Sequence, residues 1–222
     1  MYATNAGGTY MTPRSLQVGP IVYVVDDDIP VLESLELLIR SAGLKVQLFA
    51  SAQAFLSHPR VNGPSCLVLD VSLPDLNGLD LQERIASDGL RTPIIFITGH
   101  GDIPMTVKAM KAGAIEFLAK PFDGDTLLEA VRHAIELSTA TLDSQAERYA
   151  LSNCFSSLTP RERAVMELVV SGMLNKQIGD LLGISEITVK AHRGRMMQKM
   201  RARSLADLVR IATKLQLPSP PL

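Results

Sequence analysis

The feature that most restricts the fold of this chain is a regular alternation of two kinds of segment. Short runs rich in β-branched residues recur at 21–25, 45–49, 66–70, 93–98 and 115–119. Amphipathic stretches of helical length follow them at 30–41, 52–57, 79–87, 104–112 and 125–137. Strand and helix in strict alternation favour parallel strands joined by right-handed crossovers, with helices on both faces of the sheet. The predicted fold is therefore a doubly wound, five-stranded α/β domain.

From residue 158 onwards the pattern is wholly helical. The first helix has Thr159 as its N-cap, Pro160 at its first position and Glu162 as the capping-box partner. Further helices are predicted at 175–182, from the cap Ser185 to residue 200, and after the cap Ser204. Two short helices joined by a tight turn, of which the second is basic, are typical of a helix-turn-helix. We therefore predict a second, all-α domain of four helices.

These patterns divide the chain into five parts. Residues 1–19 are rich in Gly, Thr, Ser and Pro without periodicity, so we expect a disordered tail, in which Met11 is an alternative start. The predicted α/β domain covers 20–140 and the helical domain 157–217. The polar segment 141–156 is interpreted as a linker that could continue the preceding helix, and 218–222 as a short tail.

The net charge of -1 hides a strong asymmetry between the two halves of the chain. Residues 1–154 contain 11 Lys and Arg against 18 Asp and Glu, whereas residues 155–222 contain 11 against 5. An acidic globular part beside a short basic part is expected where the basic part binds nucleic acid. The charge distribution therefore indicates that the helical domain binds nucleic acid.

Composition argues against a membrane protein and against a disulfide framework. No apolar run approaches the roughly 20 residues that span a bilayer, and no basic segment followed by an apolar one opens the chain. Cys66 and Cys154 form neither a disulfide framework nor a metal motif, which fits a reducing compartment. We expect a soluble, cytoplasmic protein that does not bind membranes.

Polar side chains cluster where the predicted strands end. Asp26 and Asp27 follow the first strand, Asp70 ends the third, Thr98 the fourth and Lys120 the fifth. The carboxyl ends of parallel strands meet at one edge of the sheet, where folds of this kind bind ligands. Carboxylates without Cys or His favour a hard cation, so Mg2+ is the expected cofactor, with room left for phosphate oxygens. With Lys120 to neutralise those oxygens, Asp70 is set up as a nucleophile toward phosphorus.

Other interpretations remain open at this point, since an Asp at a strand end is often only a turn former. One is a Mg2+-dependent phosphohydrolase that forms an aspartyl phosphate, although Ser72 stands where such an enzyme needs a second acid. Another is an interaction module whose helical end binds protein or RNA. The basic helix of the predicted helix-turn-helix argues against that last alternative.

Both domains resemble parts of a known family. The first is similar to the receiver domain of bacterial two-component response regulators over roughly 21–140, in VVDDDIP, VLDVSLPDLNGLDL and IIFITGHGDIPMTVKAMKAGAIEFLAKPF. The second resembles the LuxR-type helix-turn-helix in LTPRERAVMELVVSGMLNKQIGDLLGISEITVKAHRGRMMQKM. Together they resemble the FixJ subgroup of the FixJ/NarL regulators. The resemblance implies a response regulator of a two-component phosphorelay, which binds specific DNA sequences, regulates transcription and is not an enzyme.

The resemblance also implies a role for each residue at the strand ends. Asp70 matches the phosphorylated residue, Asp27 the direct Mg2+ ligand and Asp26 its water-mediated helper. The backbone carbonyl of Ser72 completes the implied ligand set. The residues expected to respond to the phosphoryl group are the switch hydroxyl, the lysine before a cis proline, and the rotating aromatic, here Thr98, Lys120 with Pro121, and Phe117. Because Phe117 has no hydroxyl, the switch would act through packing.

Partners follow from the same resemblance. A sensor histidine kinase would donate the phosphoryl group, and the protein itself would at most lose it slowly. Phosphorylation is expected to reshape the surface around 103–120, which would then bind a second copy of the chain. Promoter DNA and RNA polymerase are the expected partners for transcription.

The second helix of the predicted helix-turn-helix is expected to contact DNA. Its apolar residues, Ile187, Val189, Met196 and Met200, are predicted to pack on the other helices. By resemblance, base edges are contacted from Lys190, Ala191 and Gly194, although some relatives have lysine where Gly194 stands. The remaining predicted DNA contacts are polar or basic: Asn175, Lys176, Thr188, Arg193 and Arg195.

Overall fold

The computed structural model describes residues 19–59, 63–87, 92–99 and 103–217. The tails predicted at 1–19 and 218–222 lie outside the described residues, apart from Gly19. The chain forms two compact units, one up to Leu142 and one from Asp143 onwards.

The first unit contains a five-stranded, wholly parallel sheet, as predicted. The strands are β1 (Ile21–Val25), β2 (Lys45–Phe49), β3 (Ser65–Asp70), β4 (Ile94–Thr98) and β5 (Glu116–Ala119). Their order across the sheet is β2-β1-β3-β4-β5. The strand order therefore reverses between β1 and β3. A doubly wound sheet binds ligands at such a reversal.

Helices cover both faces of the sheet because side chains alternate along each strand. Tyr23 and Val25 lie in one core with residues of α2 (Ala52–Leu56), α3 (Gly78–Ser87) and α4 (Ile103–Lys111). Val22 and Val24 lie in the other with residues of α1 (Ile29–Ser41) and α5 (Gly124–Ser156). The predicted doubly wound architecture is confirmed, with element ends that differ from the prediction by at most one residue, except in α5.

Helix α5 is much longer than the predicted stretch at 125–137. It has 33 residues and includes the whole segment interpreted as a linker. Residues 142–150 are exposed on every side, so no apolar periodicity marks this part as helical. The sequence left open whether this segment continues the last helix, and in the structure it is helical up to Ser156. Within the described residues, no helix is long and apolar enough to cross a membrane.

The second unit is wholly helical, as predicted. Its helices are the C-terminal part of α5, α6 (Pro160–Val170), α7 (Asn175–Leu182), α8 (Glu186–Lys199) and α9 (Leu205–Lys214). Met166, Ile178, Val189 and Met196 are fully buried in its core. The predicted N-caps are confirmed, since the side chains of Thr159, Ser185 and Ser204 accept backbone hydrogen bonds from residues three positions further on.

Candidate functional site

Three carboxylates meet at the carboxyl edge of the sheet. Asp26 follows β1 and is fully buried, Asp70 ends β3 and is 7% exposed, and Asp27 is exposed at the surface. One oxygen from each lies within 4.8 Å of the others. The set is all oxygen, which is the ligand chemistry that Mg2+ prefers, and no sulfur or imidazole ligand accompanies it in this cluster. The residues therefore fit the predicted magnesium site.

The ammonium group of Lys120 lies between two of these carboxylates. Its Nζ donates to Asp26 Oδ2 at 2.6 Å and to Asp70 Oδ2 at 3.2 Å. The peptide bond from Lys120 to Pro121 is cis, as the resemblance implied. Two strand ends and the segment after β5 are thus joined through one cation.

Burial and charge act against each other in this cluster. Burial raises the pKa of the Asp26 carboxyl, and hydrogen bonds from Lys120 and from the Asp28 backbone N–H only partly oppose that rise. For Lys120, burial alone would lower the pKa, but the hydrogen bond and charge of Asp26 and the charge of Asp70 outweigh it and raise the pKa. Lys120 therefore carries its positive charge beside Asp70.

The two predicted switch residues lie on the neighbouring strands. Thr98 is fully buried at the end of β4, and its carbonyl accepts a hydrogen bond from the Lys120 backbone N–H at 2.7 Å. Phe117 on β5 is half-buried and packs against Phe96, with ring centroids 6.1 Å apart.

The segment from the end of β3 to the start of α3 contains two residues that sequence reasoning missed. A Cβ on Gly78 would lie 2.5 Å from the carbonyl oxygen of Asp70, so only glycine lets the start of α3 approach the end of β3 this closely. The carboxylate of Asp75 accepts from the backbone N–H groups of Ala52 and Gln53, which ties the loop to the start of α2. The stretch LPDLNG contains both, but it indicates only a turn until the contacts are known.

Ser72 lies two residues after Asp70 in the same loop. It is exposed, and its backbone N–H donates to Asp70 Oδ1 at 3.2 Å. Its position beside the carboxylate is compatible with the carbonyl role implied by the resemblance. It supplies no second acid for a phosphohydrolase.

In the second unit, α7 and α8 form the predicted helix-turn-helix. Gly183 ends α7 with a φ of 66°, a left-handed conformation in which glycine is not strained. A Cβ on Gly179 would lie 2.7 Å from the carbonyl oxygen of Ile184, so this glycine permits the tight approach of the turn to α7. The sequence reasoning did not assign a role to Gly179.

One row of α8 is exposed from its first turn onwards. Ile187, Lys190, Ala191 and Gly194 are spaced three and four residues apart, lie on one side of the helix and are all exposed; we call them the exposed stripe. The predicted packing of Ile187 is wrong, because this residue is 79% exposed. The predicted burial of the other apolar residues in this helix, Val189, Met196 and Met200, is confirmed.

Several predicted DNA contacts have partners within the unit. Lys190 pairs with Glu186 at 2.9 Å, and Arg193 donates to Asn175 Oδ1 at 3.1 Å. The Thr188 hydroxyl lies 2.8 Å from that of Ser185. Two further cations, Lys176 and Arg195, are exposed, and neither forms an ion pair in the part of the chain that the structure describes. Lys176, Lys190 and Arg195 of the helix-turn-helix therefore keep their charges accessible to solvent.

Known proteins match both units. Residues 22–132 match the family described as response regulator receiver domain, and residues 156–212 match bacterial regulatory proteins of the luxR family. Nodulation protein W from Bradyrhizobium diazoefficiens is 53% identical over 195 residues, covering 88% of this chain and 86% of that protein. The transcriptional regulatory protein FixJ from the same organism is 42% identical over 193 residues, covering 87% and 94% respectively. Among solved structures, response regulator StyR has a TM-score of 0.80 and 49% identity, covering 88% of this chain and 99% of that one.

A receiver domain followed by a LuxR-type DNA-binding domain defines a response regulator that controls transcription. The chain belongs to the FixJ/NarL family of two-component response regulators, within the FixJ subgroup. The family predicted from the sequence is confirmed.

Proposed function

We propose that phosphorylation of Asp70 switches this regulator and controls its binding to promoter DNA. In this proposal the receiver comprises 20–140, the DNA-binding domain 157–217 and the connecting segment 141–156. The observation that carries the proposal is the position of Asp70. Its carboxylate ends β3, is nearly buried, and lies 3.2 Å from the ammonium of Lys120. A nucleophile toward phosphorus needs this combination of fixed geometry and nearby positive charge.

Phosphoryl transfer to Asp70 needs no reactant other than the phosphorylated kinase. An oxygen of the Asp70 carboxylate attacks the phosphorus of a phosphohistidine on the sensor kinase, and an O–P bond forms. The P–N bond breaks, and its electron pair returns to the imidazole. Lys120 is close enough to Asp70 to offset the charge of the transferred oxygens.

Magnesium is the proposed cofactor. Asp26, Asp27 and Asp70, with the carbonyl of Ser72, would hold the ion, and the carboxylates already lie within 4.8 Å of one another. When bound, Mg2+ supplies positive charge against the phosphoryl oxygens.

The signal would leave the site through Thr98 and Phe117. A phosphorylated aspartate adds strong hydrogen-bond acceptors beside β4, and the Thr98 hydroxyl would donate to one of them. Phe117, whose ring packs beside that of Phe96, would then rotate inward. We propose that the altered surface of α4 and β5 binds a second copy of the chain.

Contact with DNA is assigned to the exposed stripe and to the surrounding polar residues. Lys190, Ala191 and Gly194 would face the base edges. The residues proposed to contact the phosphate backbone of the DNA are Asn175, Lys176, Thr188, Arg193 and Arg195. We further propose that the protein acts in the cytoplasm, where it takes its phosphoryl group from a sensor histidine kinase. Once bound to the promoter, it would recruit RNA polymerase. On this view the chain is a phosphoryl acceptor and not an enzyme.

The phosphorylation step is tested by incubating the full chain with Mg2+ and acetyl phosphate, followed by intact mass and oligomeric state. The wild type is expected to gain one phosphoryl group and to dimerise. Asp70→Asn should do neither. Asp80→Asn is the matched control, since Asp80 is an exposed carboxylate on α3 of the same unit, and it should behave as wild type. An adduct on Asp70→Asn, or none on the wild type under conditions that modify another receiver, would contradict the proposal.

The DNA step is tested on duplexes selected from a random library by the phosphorylated protein. Lys176→Ala and Arg195→Ala should weaken binding to selected and unrelated duplexes alike. Each should also reduce the slope of log affinity against log salt by about one, as expected for loss of one phosphate contact. Unchanged salt dependence in both variants would remove these residues from the interface.

A further inference from the structure

Ile187 is an apolar residue without a role in the fold of its own unit. It occupies the second position of α8 and is 79% exposed, whereas Val189, two residues further on, is fully buried. The core of the helical unit includes neither Ile187 nor any neighbour on the same side of the first turn. Ile187 therefore contributes little to the apolar burial that stabilises its own unit.

The neighbours of Ile187 on the exposed stripe are those proposed to face base edges. Lys190 and Ala191 lie three and four residues further along, and Gly194 lies seven residues further along, so all four share one side of the helix. Ile187 is the member nearest the helix N-terminus. In a recognition helix the N-terminal residues are the ones that reach the bases.

The glycine on this stripe is not explained by packing. A Cβ on Gly179 would clash with the Ile184 carbonyl oxygen at 2.7 Å, whereas a Cβ on Gly194 would meet no atom within 4 Å. Glycine inside a helix is nevertheless less favourable than alanine. Small residues at Ala191 and Gly194 would allow a close approach of the helix to another surface, and they leave Ile187 and Lys190 as the side chains that can extend toward bases.

We infer that Ile187 is a specificity-determining residue that packs against the C5-methyl group of a thymine in the major groove. The inference rests on the proposed function, because it requires the exposed stripe to face the bases. Ile187 has no donor or acceptor in its side chain, so it cannot pair with a polar base edge. Thymine alone presents an apolar methyl group in that groove. Contact between the two removes apolar surface of both from water.

The test replaces single thymines by uracil, which lacks only the C5-methyl group. Duplexes are first selected from a random library by the phosphorylated full-length protein. Each thymine of the best duplex is then replaced in turn, and affinity is measured by fluorescence anisotropy for wild type and for Ile187→Ala. In each half-site, one particular thymine should matter: replacing that single base by uracil should weaken wild-type binding about fourfold, the effect of one buried methyl-sized group. Ile187→Ala should bind the thymine and uracil duplexes equally.

Two controls separate this inference from the proposal on which it rests. Leu181 is an exposed aliphatic residue on α7, 62% exposed and outside the exposed stripe, and Leu181→Ala should retain the full sensitivity to uracil. Lys190→Ala should lose affinity for the selected duplex. If Ile187→Ala stays as sensitive to uracil as wild type, the thymine contact is refuted while DNA binding by the stripe stands. If wild type selects no sequence, or Lys190→Ala binds normally, the thymine contact and the proposed DNA binding by the exposed stripe are both refuted.

Discussion

The two candidate sites of this regulator hold their charged residues in opposite ways. In the receiver, Asp26 is fully buried and Lys120 bridges it to Asp70, so these three charges have fixed partners and are largely shielded from bulk water. On α8, Lys190 is 61% exposed and its partner Glu186 is 47% exposed. A group-transfer site benefits from charges that are already oriented before reaction. A DNA-binding surface must instead keep its cations accessible and exchange their partners for phosphates.

The difference has an energetic consequence. Removing Lys120 from the receiver cluster leaves the buried Asp26 carboxylate beside Asp70 without its cation, which is costly to stability. A charge removed from the exposed stripe leaves only solvated groups, which costs little. Loss of the Lys120 cation should therefore reduce stability and phosphorylation together, whereas substitutions on the exposed stripe should alter DNA binding and leave the fold intact.

The largest expected effect comes from Lys120→Met. Without the ammonium, Asp26 and Asp70 face each other unneutralised, and the receiver should lose about 3 to 4 kcal/mol of stability in Mg2+-free buffer. Hydrogen exchange of the β1 and β3 amides in the full chain measures the loss. Lys190→Met is the matched control and should change stability by less than about 0.5 kcal/mol. Equal protection in Lys120→Met and wild type would show that the lysine does not stabilise the acidic cluster.

Gly78→Ala tests the close approach of α3 to β3. The added Cβ would lie 2.5 Å from the Asp70 carbonyl oxygen, so the backbone that positions Asp70 must shift. We expect a loss of about 2 to 3 kcal/mol, the cost of overpacking at a rigid backbone contact. Slower phosphorylation by acetyl phosphate should accompany it. A variant with normal stability and normal phosphorylation would mean that the loop adapts without moving Asp70.

The same contrast separates what the sequence could predict from what it could not. The positions of Asp26, Asp70 and Lys120 at one edge follow from strand order along the chain and from the rule that parallel strands end together. The contacts of Gly78 and Asp75 could not be predicted, because they depend on how closely two elements approach in space. Sequence spacing carries no such distance.

In the helical unit, the capping signals predicted the starts of the helices correctly, whereas the apolar pattern was insufficient at two points. The capping patterns at Thr159, Ser185 and Ser204 are local and were identified correctly. The extent of α5 was left open by the sequence because the exposed part of this helix has no apolar face, although no Gly or Pro interrupts residues 125–159. Ile187 was assigned to the core by its hydrophobicity alone. Its exposure depends on the angle at which α8 packs, which the sequence does not specify.

In the helical unit, the buried carboxylate of Glu162 pairs with Lys199, whose side chain is 36% exposed. Glu162 is 3% exposed, and a hydrogen bond from Lys199 at 2.7 Å, with another from the Thr159 backbone, lowers the pKa of the Glu162 carboxyl. Glu162→Gln should cost about 1.5 to 2 kcal/mol at pH 7, the contribution of a charge-assisted hydrogen bond. Hydrogen exchange over α6 and α8 in the full chain measures it. Glu167→Gln, at an exposed position on α6, should change little.

The pH dependence of that effect has a definite sign. The pKa of Glu162 is lower in the folded state than its ordinary value of 4.5. Its contribution is therefore complete above about pH 4.5 and is lost as the pH falls through the folded-state pKa. The difference between wild type and Glu162→Gln should shrink on acidification. A difference that stays constant down to the acid unfolding of the unit would show that ionisation of Glu162 is not what stabilises it.

The smallest expected effect on stability, Gly194→Ala, sharpens the comparison most. An alanine Cβ at this position meets no atom within 4 Å, so the helical unit should gain about 0.5 to 1 kcal/mol from the better helix propensity of alanine. If the exposed stripe meets DNA, the added methyl group occupies space that the duplex needs, and affinity for the selected duplex should fall severalfold. Gly183→Ala is the opposite control: at a φ of 66° alanine is strained, so stability should fall. If Gly194→Ala raises both stability and DNA affinity, this side of α8 does not face the duplex. A glycine that permits close approach to DNA should lower the stability of the unit and raise its DNA affinity, so its replacement should change the two in opposite directions.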